Sequence, residues 1–223
     1  MKKKRIETQQ LVVLAILSAI IVVLQFVSGY IRIGAVSITL TLVPIVLGAA
    51  LYGVGSGAFL GFVFGLVVFI QGMANLDGGF IQLLMQENAV ATVLLCFGKA
   101  IAAGAASGAV YRLFTRKRLI AQIEDANGNV THRILTPERR ALAAVLAGAV
   151  APITNTGIFV LGMAIFFKNT TLALAGTETS AIAFLILVMA GTNFLLEFAI
   201  NMVLAPTIQR VILISKKTLG IKA

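Results

Sequence analysis

The chain has 223 residues, 59% of them hydrophobic, with a formal net charge of +10 and a mean hydropathy of +1.02. In a soluble protein that charge would suggest neutralisation of nucleic-acid phosphates, but a surface this rich in hydrocarbon excludes it and indicates a membrane protein. With Cys96 the one cysteine and His132 the one histidine, an intramolecular disulfide, a cysteine metal cluster and an ordinary zinc site are excluded.

A spanning helix needs roughly 20 apolar residues to cross about 30 Å of hydrocarbon. The first apolar run, 9–29, lacks a small-residue cleavage site before a polar region and reads as a retained helix. It carries Ala15 and Ala19, two small residues one turn apart. The second run, 38–52, is short for a span, and its ends are expected to be irregular or held inside the bundle. The third, 54–72, follows Gly53 and contains Gly57, Gly61 and Gly65. Residues four apart share a helix face, so these glycines predict a smooth groove for close approach of another helix. The connector 73–86 holds Asn75, Asp77 and Gln82 beside the flexible Gly78-Gly79 pair.

The fourth predicted span is 87–114, with a small-residue ridge at Gly98, Ala102 and Ala106. In the connector that follows, Asn127-Gly128 sits between two strand-like runs and predicts a hairpin. Thr136-Pro137-Glu138 then reads as a helix start with Thr136 as N-cap. The fifth span, 138–167, has a ridge at Ala143, Ala147 and Ala151. Pro152 and Gly157 flank Thr154, Asn155 and Thr156, which predicts a local opening that exposes backbone beside Asn155. The sixth, 181–214, places Asn193, Glu197 and Asn201 on one side at intervals of four.

Of the 18 Lys and Arg residues, all but Arg32, Lys99 and Lys168 fall within 2–5, 112–140 and 210–222. Basic residues gather at the cytoplasmic ends of membrane helices. Six passes return both basic termini to the cytoplasm and turn 30–37, 73–86 and 168–180 outward. The expected fold is an all-α integral membrane protein, a six-transmembrane-helix bundle forming one domain over 1–223. A small cytoplasmic β-hairpin is expected between the fourth and fifth helices, as an insertion over 115–137.

Ionisable side chains inside spans are costly and point to function with a named partner. Lys99 lies about 18 Å below residue 87 and Glu197 about 24 Å below residue 181, at 1.5 Å per residue, so the two fall within reach near the middle. Either they form a buried ion pair that fixes helix register, or at least one binds a ligand. Asn155 either makes an interhelical hydrogen bond or joins the same site. Lys99, Asn155, Asn193, Glu197 and Asn201 are the candidate substrate-binding residues, with Asn75, Asp77 and Gln82 as an outer gate. No Ser-His-Asp set, fixed carboxylate pair, histidine metal motif or phosphate loop occurs. Binding or transport is therefore expected rather than catalysis, with no cofactor or metal and no nucleic-acid partner.

Residues 42–53 (LVPIVLGAALYG) and 55–65 (GSGAFLGFVFG) resemble the second and third helices of S components, the substrate-binding subunits of energy-coupling factor (ECF) vitamin transporters. The likeness extends to the six-helix plan over nearly the whole chain. It implies a multi-pass subunit of a prokaryotic plasma membrane that captures a micronutrient outside, docks on a transmembrane coupling subunit and two cytoplasmic ATPases, and topples to release its cargo. ATP hydrolysis then belongs to the partners. The family's Ala-x-x-x-Ala docking motif is matched by Ala15-Ile16-Leu17-Ser18-Ala19. The 152–159 segment, with the inserted connector, resembles pantothenate-type members, where a carboxylate would suit Lys99. The alternatives from other classes are a solitary secondary transporter using Lys99 and Glu197, and a lipid-modifying membrane enzyme.

Overall fold

The computed structural model describes residues 8–30, 32–33, 36–37, 40–115, 122–124, 130–132, 137–176 and 180–218. Its elements are α1 (Thr8–Tyr30), β1 (Arg32–Ile33), β2 (Val36–Ser37), α2 (Leu42–Tyr52), α3 (Val54–Met73), α4 (Phe80–Phe114), β3 (Gln122–Glu124), β4 (Val130–His132), α5 (Pro137–Phe166), α6 (Lys168–Ala175) and α7 (Ala181–Phe184). A π-helical stretch, Leu185–Gly191, joins α7 to α8 (Thr192–Thr218). Among the described residues four helices are long and apolar enough to cross a membrane, α1, α3, α4 and α5, and two shorter apolar helices are Leu42–Tyr52 and Phe194–Ala205. We call the end of the bundle where α1 ends and α4 begins the upper end.

The short second run has a structural reason. At 11 residues, about 16 Å of helix, α2 is the central element, packed against α1, α3, α4, α5 and α8. Leu42, Ile45, Val46, Ala49 and Ala50 are buried along it. A helix enclosed on every side can be apolar all round without facing lipid.

The glycine groove predicted on α3 meets α4. Going up α3, Gly53 and Val54 face Gly108, Gly57 faces the carbonyl of Gly104, Gly61 that of Ala100, and Gly65 that of Cys96. Each step is four residues on both helices and in opposite directions, so the two backbones run antiparallel in direct contact. A Cβ at Gly65 would stand 2.9 Å from the Cys96 carbonyl oxygen. Gly53 serves twice: its φ of +93° turns the chain between α2 and α3, and the Arg112 guanidinium lies against it. The ridge expected at Gly98, Ala102 and Ala106 is not the packing face. Gly98 faces open space, whereas Ala100, Ala103, Gly104, Ser107 and Gly108 are buried. The Ala143, Ala147, Ala151 ridge is fully buried on α5, and Ser107 Oγ donates to the Ala147 carbonyl at 3.1 Å.

α1 and α3 are tied by hydrogen bonds between side chains. Gln10 Nε2 donates to Ser56 Oγ at 3.1 Å, Gln25 Nε2 to Gln71 Oε1 at 3.1 Å, and Gln71 Nε2 to the Gln25 carbonyl at 3.3 Å. Gln10 to Gln25 and Ser56 to Gln71 have the same spacing, so the two helices run parallel and in fixed register.

The upper connectors are more ordered than 73–86 and 168–180 read as loops. The helix of the fourth span starts at Phe80 rather than near Glu87, because Asp77 accepts from the N–H groups of Gly79 and Ile81 at 3.0 and 2.8 Å and caps that turn. Asn88, at φ −155° and ψ 96°, then breaks α4 and caps its lower part, its Oδ1 accepting from the Ala91 N–H at 3.0 Å. Glu87 accepts from the N–H groups of Asn169 and Thr170 at 3.0 and 2.9 Å. Its carboxylate thus satisfies early N–H donors of α6, a helix within 168–180, where the sequence predicts a loop.

β1 pairs with β2 above α1, and β3 pairs antiparallel with β4, Gln122 opposite His132 and Glu124 opposite Val130. The Asn127-Gly128 turn, the Thr136 cap, Glu178 and the basic residues Lys2, Lys3, Lys4, Arg5, Arg116, Lys117, Arg118, Arg133 and Lys222 lie outside the described residues.

Candidate functional site

Two apolar clusters make up the core of the bundle. The larger contains Ile21, Leu42, Ile45, Leu60 and Phe64, with Ala100 on α4, Ala151 on α5 and Ile208 on α8. The smaller, at the upper end, contains Leu84 and Leu95 of α4, Met163 and Phe167 of α5, and Leu185 of the π-helical stretch. Between them fall Lys99 on α4, Asn155 on α5, and Glu197 and Asn201 on α8. On these three helices polar side chains therefore form a layer between the clusters, while other buried polar groups, Gln25 and Gln71 among them, lie elsewhere in the bundle.

Asn155 is 5% exposed, Glu197 0% and Asn201 1%. Asn201 Nδ2 donates to the Glu197 carbonyl one turn earlier at 2.8 Å, while Asn201 Oδ1 and Asn155 Oδ1 are buried without a hydrogen-bond partner. Leaving such an oxygen unmatched costs about 1–3 kcal/mol. Each is a waiting acceptor for an N–H or O–H group. α5 and α8 lie close here, Asn201 being the neighbour of Gly148, and Asn155 follows Gly148 by two turns on the same face. Asn193 occupies α8 four residues before Glu197; its side chain lies outside the described set.

α5 packs against both α4 and α8, and Lys99 meets it before it could meet Glu197. The Lys99 ammonium sits 4.9 Å from the centroid of the Phe159 ring. Phe159 follows Asn155 by one turn, so both project from one face of α5. The other neighbour of the ring is Phe80, the first residue of α4, with centroids 6.3 Å apart at 51°. A cation over a ring gains about 0.5–2 kcal/mol, whereas a charge at the centre of a spanning helix costs about 2.5–3.5 kcal/mol. The ring offsets only part of that cost, so an anion would be the stronger partner.

The opening expected at Pro152 is absent: α5 runs through the proline as one helix. Ala147 and Ala151, fully buried on the preceding turns, hold it in place. The irregular backbone lies in the neighbours instead, at Asn88 in α4 and in the π-helical stretch that precedes the polar stripe of α8. Wide turns of this kind recur at functional sites.

Asn75, Asp77 and Gln82 are at the upper end. Asn75 has φ +60°, Asp77 is the cap described above, and Gln82 Nε2 donates to the Met73 carbonyl at 3.4 Å. Ala15 and Ala19 are exposed on α1 beside Leu11, Val12, Ile16 and Ile20. Among the described residues no group of three or more His, Cys, Asp or Glu side chains could hold a metal. Sequence reasoning passed over Phe159 as a site residue, although its place one turn after Asn155 was a usable signal.

The family model "ECF transporter, substrate-specific component" matches residues 9–209. The chain belongs to this family. An S component is a substrate-binding transport subunit rather than an enzyme, and membership implies a multi-pass membrane protein that works with an ECF module on a small-molecule vitamin. Among solved structures, ThiT from Listeria monocytogenes is similar to this S component at 20% identity, with a TM-score of 0.56, covering 93% of this chain and 95% of that one. At that identity the likeness concerns the fold. Among curated proteins none matches.

Proposed function

We propose that this S component captures a small carboxylate vitamin, pantothenate being the first candidate, and passes it to a module of one transmembrane coupling subunit and two cytoplasmic ATPases. The observation that carries this reading is the polar layer between two apolar clusters, in which Lys99 supplies a cation and Asn155 and Asn201 supply unmatched buried acceptors. A molecule with one carboxylate and several hydroxyl or amide groups complements that set. Glu197 and Asn193 complete the site from α8. The chain crosses the membrane six times with both termini cytoplasmic, which turns the upper end outward. Asn75, Asp77 and Gln82 then form the gate above the polar layer.

Docking uses Ala15 and Ala19. Their exposure within an apolar strip of α1 supports this, because small residues let a second helix approach closely. Uptake measured in cells carrying or lacking the coupling subunit tests the scheme. Uptake is expected only with the subunit; persistence without it would instead favour a solitary secondary transporter. Ala15→Trp is expected to abolish co-purification with the coupling subunit while leaving vitamin affinity unchanged, and normal assembly would remove α1 from the interface.

A further inference from the structure

Lys99 and Phe159 come from different helices, and the ring contacts both the ammonium and Phe80. Phe80 begins a helical turn fixed by the Asp77 cap, and Phe159 borders the upper apolar cluster. The ring is half-buried against that cluster. The ammonium ends a four-carbon stem from a half-buried position and can swing. The ring is a weaker partner for that charge than a carboxylate, and Asn155 Oδ1, buried and unmatched one turn away, awaits a donor on the same face.

We propose that the face of Phe159 is the resting place of the Lys99 ammonium and the specificity wall of the site. An anionic substrate draws the ammonium off the ring, and the substrate's own apolar carbon covers the face that is uncovered. The substrate class follows from the three groups present. It is a carboxylic acid that also carries an apolar group to cover the Phe159 face and an N–H or O–H for Asn155. Phe159 thus selects for the apolar group as Lys99 selects for the charge. A cationic substrate would compete with Lys99 for the ring instead. This inference rests on the carboxylate reading above and adds to it the wall and the exchange.

The test uses the full chain in nanodiscs, labelled with 13Cε-lysine and stripped of ligand, with the Lys99 signal assigned by its loss in Lys99→Met. That signal is expected upfield of the other lysines through the ring current of Phe159, and is expected to move to the common lysine position on saturation with pantothenate. Phe159→Leu should abolish the upfield shift without ligand and weaken pantothenate binding about tenfold, the scale of one lost aromatic contact. Phe159→Met, which keeps apolar volume, guards against misfolding and should also lose the shift. A Lys99 signal that is unshifted in the stripped protein, or that stays shifted with pantothenate bound, overturns the exchange alone. A shifted signal in a protein that binds no carboxylate overturns the substrate reading, and the exchange with it. A cationic vitamin that binds Lys99→Met more tightly than the parent chain overturns both.

Discussion

Lys99→Met is expected to weaken binding of a carboxylate vitamin by more than about tenfold while leaving expression and melting temperature close to those of the parent chain. A hydrogen bond to a charged group contributes about 1.5–3 kcal/mol, and every 1.4 kcal/mol is about a factor of ten in affinity. The fold should tolerate the change because the contact of the Lys99 ammonium is with the Phe159 ring, and a methionine thioether also packs favourably on an aromatic ring. Removing a charge from the interior even lifts a desolvation cost. Isothermal titration with the purified protein measures the effect. Unchanged affinity would take Lys99 out of the site, and the substrate's carboxylate with it.

Gly61→Leu is expected to destabilise the bundle by at least about 3 kcal/mol, at the upper end of the range for overpacked positions, and to leave little folded protein after extraction. Its Cβ would run into the Ala100 carbonyl and backbone, which cannot rotate away as a side chain can. The whole α3–α4 seam, stepped by four from Gly53 to Gly65, would have to separate. Gly98→Ala is the control: nothing lies near that position, so the change should be neutral or slightly stabilising in the same thermal-melt measurement. Equal losses from the two variants would mean that the seam does not depend on backbone contact.

The legible parts of the sequence were those in which one physical rule dominated. The glycines at 53, 57, 61 and 65 predicted a close helix approach because a period of four on a helix has one geometric meaning, and α4 lies there. The partner ridge on α4 was misjudged at Gly98, Ala102 and Ala106 because that helix is rich in small residues all round, and composition alone does not say which face meets α3. The brevity of the second run left open irregular ends or ends held inside the bundle, and α2 is a short helix enclosed by its neighbours. The equal spacing of Gln10 with Gln25 and of Ser56 with Gln71 also encodes the parallel register of α1 and α3.

The upper end was the hardest to read. Asp77 read as a gate residue and Glu87 and Asn88 as the start of a span, yet each caps a helix end. Capping depends on where a helix starts, and α6 has too weak an apolar pattern to announce itself. At the polar layer, Lys99, Asn155, Glu197 and Asn201 could be named from the cost of burying polar groups. Their arrangement could not, because rise per residue gives depth along a helix but not its rotation. Rotation brings Lys99 to Phe159. The same limit applies to Pro152, where local propensity predicted an opening and tertiary packing kept the helix whole.

The most direct test of a carboxylate-capturing S component is mass spectrometry of the small molecule that co-purifies with the chain. The expected result is a single carboxylic acid, pantothenate first among candidates, present near one per chain and lost from Lys99→Met. A cationic or uncharged vitamin retained equally by Lys99→Met would contradict it.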